Sequence, residues 1–82
     1  MEDIIMNAKA NKEREFLSVL KRAHKNGGLF KESKDANHGI WLKFIFESDN
    51  MLSNFSHVLQ ADNLGKCMHL GGKGSKEINV LI

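Results

Sequence analysis

Ile40-Trp41-Leu42-Lys43-Phe44-Ile45-Phe46 is the stretch that decides the fold. Five of its seven residues are β-branched or aromatic, the composition of a strand. Alternation puts Ile40, Leu42, Phe44 and Phe46 on one face and Trp41, Lys43 and Ile45 on the other. Bulk on both faces predicts a strand that lies centrally or is covered on its second side.

Working outward toward the C-terminus, Glu47-Ser48-Asp49 ends the strand and supplies N-caps for a helix from Asn50 to about Asp62. Met51, Leu52, Phe55, Val58 and Leu59 follow the helical period, while Ser53, Asn54, His57 and Gln60 form an almost uncharged opposite face. Asn63-Leu64-Gly65 is a stop signal. The remainder reads as a β-hairpin, Cys67 to Leu70 and Glu77 to Ile82, around Gly71-Gly72-Lys73-Gly74-Ser75. Ile78, Val80 and Ile82 alternate, with Met68 and Leu70 opposite them.

Toward the N-terminus, Asn37-His38-Gly39 is a turn, and Lys31 to His38 reads as a polar connection without periodicity. Asn11 to Asn26 is predicted helical, with Phe16, Leu20 and Ala23 on one side. Asn26-Gly27-Gly28 stops it, and Ile4, Ile5 and Met6 extend it back to about residue 3 or 4. The expectation is one α+β domain over residues 1–82. Two helices pack on a three-stranded, mainly antiparallel sheet in the order α-β-α-β-β. Phe16, Leu20, Leu42, Phe44, Phe55, Leu59 and Val80 are its expected core.

Composition narrows the class. The chain has 82 residues, 41% hydrophobic and 27% charged, which are ordinary globular values. Twelve bases against ten acids is too even a balance to announce a nucleic-acid or membrane protein. Its one cysteine, Cys67, cannot build a disulfide framework within the chain. No apolar run approaches the roughly 20 residues of a membrane span. Acids at Glu2 and Asp3 stand where a secretory signal has bases, so a cytoplasmic protein is expected. Lysine- and asparagine-heavy usage suits an AT-rich coding genome, such as that of a virulent phage.

Candidate chemistries are few. The glycine-rich loop at 71–76 offers backbone donors and lysines, but a P-loop needs a helix after it, and a strand follows here. A flexible turn is the simpler reading. Cys67 and His69 alternate onto one strand face, with His57 and His38 elsewhere; no zinc-ligand spacing joins them, and neither metal nor cofactor is expected. His38, at a strand entry, superficially resembles the layout of small mRNA-cleaving toxins of the HicA family over a limited part of the chain. The doubled histidine of that family is missing and the later elements come in a different order, so no catalytic role is assigned. Lys21, Arg22 and Lys25 at the first helix end, and Lys66, Lys73 and Lys76 around the hairpin, are candidate phosphate contacts for RNA or DNA.

The reading that survives is a non-enzymatic regulatory protein that binds and modulates another protein, of the kind phages encode against host lysis, defence or transcription. Trp41, His57, Gln60, Val80 and Ile82 are the expected protein-binding residues. Trp41 stands on the second strand face, the outer face of the later helix is uncharged, and the apolar C-terminal strand is expected at a sheet edge. A homodimer is the other expected partnership. Ile4-Ile5-Met6 is the alternative cover for Trp41 within the chain.

Overall fold

The computed structural model describes residues 2–37, 39–72 and 74–82, with side chains from residue 12 onward. The elements are α1 (Glu2–Lys25), β1 (Leu29–Ala36), β2 (Gly39–Ile45), α2 (Asp49–Ala61), β3 (Cys67–Leu70) and β4 (Glu77–Leu81). The strands form one antiparallel sheet in the order β1-β2-β4-β3. Both helices lie on the same face of it. Val19 and Ala23 from α1 and Leu52, Phe55 and Leu59 from α2 share a core with Leu42, Phe44, Phe46, Ile78, Val80 and Ile82. Phe16 and Leu20 pack against its margin.

The five phenylalanines form one unbroken chain of ring contacts through this core. Phe16 of α1 meets Phe30 of β1 edge-on at 5.6 Å, and Phe30 meets Phe44 of β2 at 5.6 Å. Phe44 meets Phe55 of α2 at 5.4 Å, and Phe55 meets Phe46 at 5.1 Å. Such tilted and edge-to-face pairs add about 0.5–1.5 kcal/mol each beyond the area they bury.

Local chemistry sets where the helices stop. In α1 the Gly27 N–H donates to the His24 carbonyl at 3.1 Å and the Gly28 N–H to the Ala23 carbonyl at 2.7 Å. These two bonds make a Schellman cap, which needs the positive φ of 81° at Gly27. Gly28 has a different constraint: a Cβ there would lie 2.5 Å from the Phe46 ring. At α2 the Met51 N–H donates to the Ser48 Oγ at 3.2 Å, the cap that Glu47-Ser48-Asp49 promised. Its far end repeats the Schellman pattern with Asn63 at φ 53°.

The two-layer α+β class expected from the sequence is the one observed, and two details differ. Lys31 to Ala36, expected as part of a connection, belongs to a strand, so the sheet has four strands. β1 is an edge strand with every residue but Ala36 exposed, so it lacks the apolar alternation by which strands are recognised. The C-terminal strand is interior rather than at an edge: β4 pairs with β2 on one side and β3 on the other, and Ile82 exchanges backbone bonds with Ile40. Ile4, Ile5 and Met6 carry side chains outside the described residues. Their backbone continues α1.

Phe44 is fully buried and stands in the middle of the ring chain. Phe44→Ala is expected to cost about 3–5 kcal/mol, a large share of the stability of so small a domain. Urea unfolding followed by circular dichroism measures it. An unchanged midpoint would contradict this packing.

Candidate functional site

The face of the sheet turned away from the helices carries the candidate site. Strand pairing arranges it in two rows. Lys34, Trp41, Leu81 and Cys67 stand abreast across β1, β2, β4 and β3, and Glu32, Lys43, Asn79 and His69 form the next row. Each row follows from parity: in β2 and β4 the residues between the core positions have nowhere else to point. Ile45, opposite Leu29 and Glu77, extends the face at one end.

Trp41 and His69 meet edge to face across β4, with ring centroids 5.1 Å apart and planes at 81°. Beside them lies a shallow hollow of about 240 Å³ lined by Glu32, Lys34, Trp41, Lys43, His69 and Asn79. The Lys43 ammonium donates to the Glu32 carboxylate at 3.0 Å. This hydrogen bond and its charge hold the Glu32 carboxyl below the usual glutamate range and raise the Lys43 ammonium above the usual lysine range. The face thus joins apolar and aromatic residues, Trp41 and Leu81 in one row and Ile45 beyond the next, to charges of both signs.

The expected binding residues fall in three places. Trp41 is half-buried on the open face. His57 and Gln60 are exposed on α2, on the opposite side of the molecule, where Gln60 donates to the Ser56 hydroxyl at 3.2 Å. Val80 and Ile82 are wholly buried under the helices, so they are core residues and not contact residues. Their alternation marks them as one face of a strand, and the helices cover that face. Four of the residues around the hollow, Glu32, Lys34, His69 and Asn79, were not among the expected protein-binding residues, and His69 was considered only beside Cys67 as a metal ligand. Lys43 was placed beside Trp41 by alternation alone.

The candidate phosphate contacts are also dispersed. Lys21, Arg22 and Lys25 border a surface hollow with Asn26, Val58 and Asp62. Arg22 Nε donates to Asp62 at 2.8 Å and its Nη1 to the Ser18 carbonyl at 3.0 Å, so the guanidinium is held between the helices. Lys66 lies beside the middle of α1, where its N–H bonds the Leu81 carbonyl and Glu15 accepts from the Gly65 N–H at 3.0 Å. Burial, with the Lys66 ammonium beside it, pushes the Lys12 pKa down there. Lys76 precedes β4 and Lys66 sits beside its end, so the length of a strand separates them. Lys73 and His38 lie outside the described residues.

Cys67 and His69 do share the open face, as alternation requires. Among the described residues no group of three or more His, Cys, Asp or Glu is placed to hold a metal ion, and no helix is long and apolar enough to cross a membrane. No protein-family model, curated protein or solved structure matches the chain.

The Glu32–Lys43 pair sets a pH signature. A carboxyl whose folded pKa is depressed adds stability in full above its unfolded pKa and loses it as the pH falls through the folded value. Glu32 is exposed and Lys43 only half-buried, so the contribution is small and salt-screened and the sensitive observable is the titration itself. The Glu32 side chain, followed by NMR, is expected to titrate below the ordinary glutamate range and to return to it in Lys43→Met. An unshifted wild-type midpoint would show that the pair does not persist in solution.

Proposed function

We propose that this chain is a small non-catalytic binding protein that docks on another protein through the open sheet face centred on Trp41, and so occupies or modulates its partner. The observation that carries this reading is the helix-free face itself. Helices cover one side of the sheet, and the other presents Trp41, Leu81 and Ile45 among Lys34, Lys43, Glu32 and Glu77. Tryptophan is among the residues most enriched in the energetic centres of interfaces. An aromatic centre with a rim of both charges suits a protein surface, whereas a phosphate backbone calls for one sign of charge. The dispersal of the lysines, and the engagement of Arg22 with Asp62, favour the same choice over RNA or DNA. A cytoplasmic regulator is the setting in which such a chain acts, and phage-encoded inhibitors are the kind of system it fits.

The test is an affinity pull-down with the full chain from lysate of its native host at moderate salt, with a nuclease-treated sample in parallel. Wild type is expected to retain one protein in stoichiometric amount, insensitive to nuclease. Trp41→Lys, which leaves the core untouched, is expected to weaken that retention by about 2 kcal/mol or more, roughly thirtyfold. Retention of nucleic acid alone, lost steeply as salt rises, would overturn the reading.

A further inference from the structure

We propose that the free edge of β1 is a self-association surface, at which a second copy of this chain adds antiparallel with Ser33 of each copy on the two-fold axis. Three observations converge on it. β1 is the terminal strand of the sheet, pairing with β2 alone, so its outer edge presents backbone donors and acceptors without a sheet partner. The edge is long and uncovered: the strand runs from Leu29 to Ala36, and the residues from Leu29 to Asp35 are all exposed. The third observation is the order of charges along it, Glu32-Ser33-Lys34.

Charges on an edge strand usually keep other strands away. Here their signs make the exclusion selective. A two-fold axis perpendicular to a continuous antiparallel sheet preserves its faces, so it pairs only residues of like parity and passes through one residue position. With Glu32 on the axis, glutamate opposes glutamate. With Lys34 on the axis, lysine opposes lysine. With Ser33 on the axis, Glu32 of each copy faces Lys34 of the other, on the open side of the sheet, where both residues already flank the hollow. Directly opposed unlike charges favour a strand pair and like charges disfavour it. The Glu32-Ser33-Lys34 triplet that carries the opposed charges lies on the regular side of the irregularity in the β1 register, which falls between Phe30 and Glu32. The Glu32 carboxylate, bonded to Lys43 on its own sheet, gains a second cation from the neighbour.

The geometry has a consequence for the open face. Pairing at Ser33 makes one continuous eight-stranded sheet with the helices of both copies on the same side. With strands about 4.8 Å apart and about 3.3 Å per residue, the two Trp41 positions stand roughly 16 Å apart on the exposed side. Glu32 and Lys34 form the β1 side of each hollow, so the second copy lengthens both walls. A protein partner would then meet a doubled surface.

An edge contact of this length buries less than the roughly 800 Å² per partner of a standard interface, so association is expected to be weak. Sedimentation equilibrium on the purified chain alone, at about 0.5 mM, suits such an interface. Wild type is expected to approach the mass of two chains. Lys34→Glu opposes Glu32 to a new acid, and Glu32→Lys opposes Lys34 to a new base. Each variant alone is expected to lose self-association at least tenfold, and an equimolar mixture of the two to recover it, because every opposed pair is then unlike. Both sites are exposed, and circular dichroism confirms that the variants remain folded. A monomeric wild type at this concentration, or a mixture that stays at the mass of one chain, would overturn the proposal. Since no partner protein is present, the result is independent of whether Trp41 binds one.

Discussion

The contact between Phe44 and Phe55 is the one on which the rest of the structure depends. It is the link at which the β2 strand and the α2 helix meet, and the ring chain from α1 to α2 passes through it. A chain this short buries only about 60% of the surface its unfolded form exposes, which leaves little core to spare. One helix therefore cannot migrate to the other face without abandoning the phenylalanines. That constraint places α1 and α2 on the same side of the sheet and leaves the Trp41 side open.

The candidate site follows from the same parity. Leu42, Phe44, Ile78 and Val80 must face the helices, so Trp41, Lys43, Asn79 and Leu81 must face outward. The antiparallel registers then bring His69 from β3 and Glu32 and Lys34 from β1 into the same two rows. The tryptophan, the imidazole and the ion pair on this open face lie outside the buried core. An aromatic residue beside charges of both signs is the physical basis of the proposed function.

What could be read from the sequence divides along the same line. Elements with a buried face announce themselves: the alternation over Ile40–Phe46 and over Ile78, Val80 and Ile82, and the helical period of Leu52, Phe55 and Leu59. β1 did not, because an exposed edge strand of Lys, Glu, Ser and Asp has no buried face to leave a pattern, and its partner β2 supplies the order. The interior position of β4 was hidden for a related reason. Apolar alternation marks one face of a strand and is silent on which neighbours flank its edges. Hence Val80 and Ile82 looked like candidates for a partner when they are the floor under the helices. Trp41 was legible as an exception to one-sided burial, whereas Glu32, Lys34, His69 and Asn79 reach its vicinity only through pairings between distant segments.

One sheet face is sealed by helices, and the other, bearing the half-buried Trp41, is left uncovered by them. The chain contains one tryptophan, so its fluorescence reports on that face without interference. Acrylamide and iodide quenching of the folded protein is the most direct measurement. The native state is expected to emit red-shifted fluorescence that both quenchers reduce, with no need of a core substitution such as Phe44→Ala to expose the indole. A blue-shifted native emission that neither quencher reaches would place Trp41 in the interior and contradict it.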